Sequence, residues 1–134
     1  MSRSLSKIEI LRLFREKIID FFDALIEQFP NEGDFIMLRI LVEDAPVEAT
    51  IKNFHKVVVP HSEMITSKNE KFFLEKCPEI LKNIPGSSIE TNKIEHFKRV
   101  WLSPILTDED KEQMWKWFNL FLNLSQQYQK YTSV

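Results

Sequence analysis

The sequence predicts an all-α fold: a single-domain helical bundle over residues 1–134, with two long terminal helices and several short central helices. Three observations carry this prediction. The 134 residues are near the commonest size for one domain and can bury about two-thirds of the surface an extended chain exposes. Only two are glycine, so few positions take positive φ cheaply, which disfavours a fold of tight hairpins. The apolar residues, eleven phenylalanines among them, recur at alternating spacings of three and four at both ends of the chain. With 43% hydrophobic and 28% charged residues, the composition is that of a globular protein rather than a disordered or low-complexity one.

The first helix is predicted from about Leu5 to Phe29. Leu11, Phe14, Ile18, Phe21 and Leu25 form its inner stripe, Ser6 and Glu9 have capping-box spacing, and Pro30 stops it. Asn31 and Asp34 then suit a helix start before the apolar run 35–42. A short apolar run does not fix its own period, so a buried strand competes there. Helix is preferred because no partner strand with turn chemistry lies nearby, and a helix apolar on almost every side belongs at the centre of the bundle. Asp44, Ala45 and Pro46 open a third helix with Val47, Ile51, Phe54 and Val58 inward. Pro60 ends it or begins a short one to about Thr66, with Met64 and Ile65 inward. A further short helix covers 69–75 and a separate turn starts at Pro78. Pro85-Gly86-Ser87-Ser88 is a loop. Ile94, Phe97 and Trp101 mark a helix over 91–102, closed by Ser103-Pro104. Thr107 caps the last helix, where Asp108, Glu109 and Asp110 meet the positive end of its dipole. Met114, Trp117, Phe118, Phe121, Leu124 and Tyr128 form its stripe.

Several function classes lose support. The formal charge is −2, and in windows of thirty to forty residues acids and bases nearly balance, so no basic arm drives general binding to phosphate backbones. A single cysteine, Cys77, fits a reducing compartment, and no signal peptide or membrane span is expected. His55, His61 and His96 have no i, i+4 pairing, so no metal site is expected. Cys77 has no evident base to activate it. The acid pairs Asp20 with Asp23 and Asp108 with Asp110 read as a solvated face and a helix start. Phosphate-loop, dinucleotide, EF-hand and zincin patterns are absent. No catalytic residue and no cofactor are expected, and an enzyme is disfavoured.

Two surfaces stand out. Trp115 and Trp117 point about 200° apart on a helical wheel, so one stripe does not hide both, and the one nearer the rim is a candidate protein-binding residue. Lys93, Lys98 and Arg99, near His96 and Trp101, form a small basic patch that offers the alternative of a nucleic-acid accessory role. Glu90 and Glu95 partly cancel its charge.

Four stretches carry a resemblance: FREKIIDFFDALIEQFP at 14–30, DFIMLRILVED at 34–44, EKFFLEK at 70–76 and HFKRVWLSPILTDEDKEQMWKWFNLFLNLSQQYQ at 96–129. In them the chain resembles small uncharacterised proteins encoded by nucleocytoplasmic large DNA viruses of algae and protists. Residues 78–92 have no counterpart in that pattern. The resemblance implies a viral, helical protein of the host cytoplasm or nucleus, or of the virion, and supplies no catalytic residues. Together these readings predict a non-enzymatic interaction or structural protein with a viral or host protein partner, nucleic acid being the lesser alternative.

Overall fold

In the computed structural model, which describes residues 5–82 and 91–132, helices follow one another with no strand among the described residues. α1 (Lys7–Gln28) starts as its capping pair predicts. Extended Ser6 accepts from the Glu9 N–H at 3.1 Å, and its hydroxyl donates to the Glu9 carboxylate at 3.2 Å. Such a cap contributes about 1 kcal/mol. The Phe29 N–H closes the other end on the Leu25 carbonyl, and Pro30 follows.

Residues 35–42 are helical, within α2 (Gly33–Asp44), but two expectations for this segment need correction. Glu32, not Asn31, is the N-cap, and it makes no side-chain capping bond. Nor is α2 central. It lies against α1 at the edge of the bundle and buries only one stripe, Phe35, Leu38 and Val42.

α3 (Val47–Val58) begins after Pro46, whose carbonyl accepts from the Thr50 hydroxyl at 2.9 Å. A 3-10 turn at Val59–His61 accommodates Pro60 and leads into α4 (Ser62–Thr66). Ile65 is buried as expected, whereas Met64 faces solvent. The end of α4 is a Schellman motif, with Asn69 N–H on the Met64 carbonyl and Lys68 N–H on the Ile65 carbonyl. Lys68 holds the left-handed position at φ 59 where glycine is usual.

Asn69 caps α5 (Glu70–Lys82) by accepting from the Phe72 N–H at 2.9 Å. This helix runs through Pro78, where a new turn is predicted. A proline removes one donor and crowds one carbonyl, which here does not end the helix. The predicted loop 85–88 lies outside the described residues. α6 (Thr91–Leu102) has the predicted bounds. α7 (Asp108–Thr132) opens on a reciprocal box: Thr107 Oγ1 accepts from the Asp110 N–H at 3.1 Å, and Asp110 accepts from the Thr107 N–H at 3.0 Å.

The centre is built by α1, α3 and α7. Phe14 meets Phe54 and Phe121 edge-on, each at 5.9 Å, and Phe54 meets Phe121 at 6.3 Å, so one ring from each helix closes a triangle. α1 and α7 run antiparallel. Tyr131 donates to the Leu5 carbonyl at one end, while Leu25 and Gln28 sit beside Leu106 and Asp110 at the other. α5 and α6 cover the far side of α7, where Phe73 lies 4.8 Å from Trp101 and 4.7 Å from Phe118.

Candidate functional site

The two candidate tryptophans are separated by burial. Trp115 is 4% exposed and sits among Phe73, Trp101 and Phe118 at ring distances of 5.9, 5.8 and 5.6 Å. As a partner-binding residue it is corrected to a core residue. The physical reason is that α7 is packed on two sides, by α1 with α3 and by α5 with α6, so its buried arc spans about half the helical wheel. Trp117 is the rim residue. It is half-buried, touches Phe21 at 6.1 Å and Phe121 at 6.2 Å, and edges a cavity of about 50 Å³ shared with Gln28, Leu106, Asp110 and Gln113. That space suits a few waters rather than an organic ligand.

In the basic patch Lys98 reaches Glu95 at 3.5 Å, His96 pairs with Glu32 at the start of α2, and Trp101 is buried, so among the described residues no aromatic there is free to stack on a base. Arg99 is exposed. The Lys93 side chain lies outside the described residues.

Several other titratable groups have structural partners, whereas His55 Nε2 is buried with no hydrogen-bond partner among the described residues. Arg39 of α2 holds Asp23 of α1 and, at 2.9 Å, Glu43, and the hydrogen bond to Asp23 is the main reason its pKa is raised. Asp110 is held below the usual aspartate range, first by the Thr107 backbone N–H. Burial and then the Glu48 carboxylate push the Tyr128 hydroxyl up to about 12. That hydroxyl is buried with no well-formed hydrogen bond among the described residues. Glu48 is lowered in turn, first by Tyr128 and then by Lys7, 3.2 Å away. The His61 ring lies 5.2 Å from Phe72, and no group of three or more His, Cys, Asp or Glu among the described residues is placed to hold a metal ion. The Cys77 side chain lies outside the described residues.

The most distinctive surface is one that sequence reading misplaced. On α2 the side chains of Ile36, Met37 and Ile40 are 43%, 43% and 52% exposed. At 100° per residue they centre about 180° from the buried stripe of Phe35, Leu38 and Val42, so the helix has two apolar faces and buries one. Beside it, Glu16, Asp20, Asp23 and Glu27 recur at spacings of four, three and four along the exposed ridge of α1. The Asp23–Arg39 pair fixes this ridge alongside α2. Trp117 and its cavity, which also touches Ala24, flank the ridge on the other side. Between residues 18 and 51 eight acids stand against one base, Arg39. Windows starting at residue 1 hide this because the bases of the first turns of α1 offset the acids that follow. A window from the middle of α1 into α3 exposes it.

The chain is similar to an uncharacterized protein of Acanthamoeba polyphaga mimivirus, with 25% identity over 122 residues that cover 85% of this chain and 67% of the relative. This likeness bears out the resemblance to uncharacterised giant-virus proteins. No family model matches the chain, and no solved structure matches it. Among the described residues no helix is long and apolar enough to cross a membrane.

Proposed function

We propose that the protein is a non-enzymatic interaction or structural protein of a virus, associated with the particle and working through a helix face rather than a pocket. The observation that carries this reading is the outer face of α2. Large apolar side chains scattered singly over a surface need no explanation, but three on one helical face, opposite the face that already fills the core, make a contiguous patch of the kind that marks contact sites. The viral part rests on the likeness to the mimivirus protein. The interaction part is supported by Asp110, Arg39 and His96, whose partners are a cap and interhelical pairs. Trp117, across the acidic ridge from α2, is a second element of the same surface.

The test compares the protein with its Ile36→Ser, Ile40→Ser double variant, each purified from the cells in which it is made. Loss of a stoichiometric co-purifying protein from the variant, with helical circular dichroism unchanged, is the expected result. The same protein recovered at the same stoichiometry with both would overturn the assignment of this face.

A further inference from the structure

The chemistry of the partner can be read from what surrounds the apolar stripe. α2 has 12 residues and is about 18 Å long, which matches about three turns of a second helix. Laid beside α2, such a helix would place apolar residues at i, i+3, i+4 and i+7 against Ile36, Met37 and Ile40. Its other flank would face the α1 ridge of Glu16, Asp20, Asp23 and Glu27, all exposed. Two of these are already engaged, Asp20 with Lys17 at 3.8 Å and Asp23 with Arg39. Glu16 and Glu27 have no ion pair among the described residues. The exposed Asp44 adds negative charge at the C-terminal end of α2, where Arg15 of α1 donates to the Glu43 carbonyl at 2.7 Å.

Resting on the reading of α2 as the contact face, we propose that α2 and the acidic ridge of α1 dock a basic amphipathic helix of a partner protein. A second copy of this chain is a poor occupant, since it would set one acidic ridge against another. An acidic peptide or a nucleic acid meets the same repulsion. A lysine- or arginine-flanked helix gains on both counts. It covers the apolar stripe while the cations on its flank nearest α1 are drawn toward the unpaired carboxylates.

The test titrates a fluorescent synthetic helix, leucines on one face and lysines on the other, into the full chain, together with a twin in which glutamates replace the lysines. The lysine peptide binds saturably. Its Kd rises at least tenfold for Ile36→Ser with Ile40→Ser, and at least tenfold for Asp20→Lys with Glu27→Lys. The glutamate peptide binds at least tenfold more weakly to the unaltered protein. All four sites are on the surface, and unchanged unfolding midpoints confirm that the variants fold. Equal binding of both peptides, lost on changing Ile36 and Ile40, would overturn the basic partner and leave the contact face standing. Binding of neither peptide, or binding indifferent to Ile36 and Ile40, would overturn both. A dimer in sedimentation equilibrium that Ile40→Ser dissolves would name a second copy as the occupant and overturn the proposal.

Discussion

Trp115→Ala and Trp117→Ala, two residues apart on α7, are expected to differ severalfold in cost. Trp115 is 4% exposed and packed among three aromatic rings on α5, α6 and α7, so truncation removes a large buried surface and leaves a cavity between helices that relax only partly. Substitutions of this kind cost about 3–5 kcal/mol. Trp117 is partly buried at the rim, against Phe21 and Phe121, so its loss is worth about 1–2 kcal/mol. Against a total stability of about 5–15 kcal/mol, the first change removes a substantial fraction and the second does not. Urea unfolding followed by far-ultraviolet circular dichroism measures both. With a slope of about 2 kcal/mol per molar, Trp115→Ala lowers the midpoint by roughly 2 M and Trp117→Ala by less than about 1 M. Acrylamide quenching gives an independent reading, since removing Trp117 takes away most of the quenchable fluorescence while Trp101 and Trp115 stay shielded. Equal midpoint shifts, or a larger one for Trp117, would refute the two-sided packing of α7.

Thr107→Ala breaks the reciprocal cap of α7 and is expected to cost about 1 kcal/mol in the same unfolding assay. Because Asp110 is held below its ordinary range, its contribution is present above the ordinary aspartate pKa, near 4, and is lost as pH falls through the lower folded value; Asp110→Asn should flatten that acid limb. Tyr128 behaves oppositely: its folded pKa, about 12, lies above the ordinary value of 10.0, so stability present below pH 10.0 is lost as pH rises toward 12. Tyr128→Phe should abolish this alkaline loss and change stability little at neutral pH, as seen in unfolding midpoints across the pH range. DNA and RNA should not bind measurably even at low salt; steeply salt-dependent binding abolished by Lys98→Ala with Arg99→Ala would restore the nucleic-acid reading.

The long helices were legible because their signals are local. Ser6 and Glu9, and Thr107 with Asp110, satisfy amides within a few residues, and the stripes through Phe14, Phe21, Phe118 and Phe121 follow one period. What was not legible depends on neighbours distant in sequence. Apolar residues on all sides of α2 say that something must cover them, not that the bundle itself does, and α1 covers one side. Trp115 was undecided because its neighbours, Phe73 and Trp101, come from α5 and α6, whose docking on α7 has no local code. The turn predicted at Pro78 does not form: the helix continues past it, and Lys76 reaches Glu79 at 3.5 Å across the proline. The acidic ridge of α1 was present in the sequence, yet it acquires meaning only beside the outer face of α2.

The most direct measurement of that pairing is photo-crosslinking in the cells where the protein is made, with a photoreactive residue placed at Met37 on the outer face of α2 or, as a control, at exposed Lys130 near the end of α7. One dominant protein adduct is expected from position 37, with a lysine- or arginine-flanked amphipathic helix at the crosslinked site and no counterpart from position 130. No adduct at position 37, or the same adducts from both positions, would contradict that pairing.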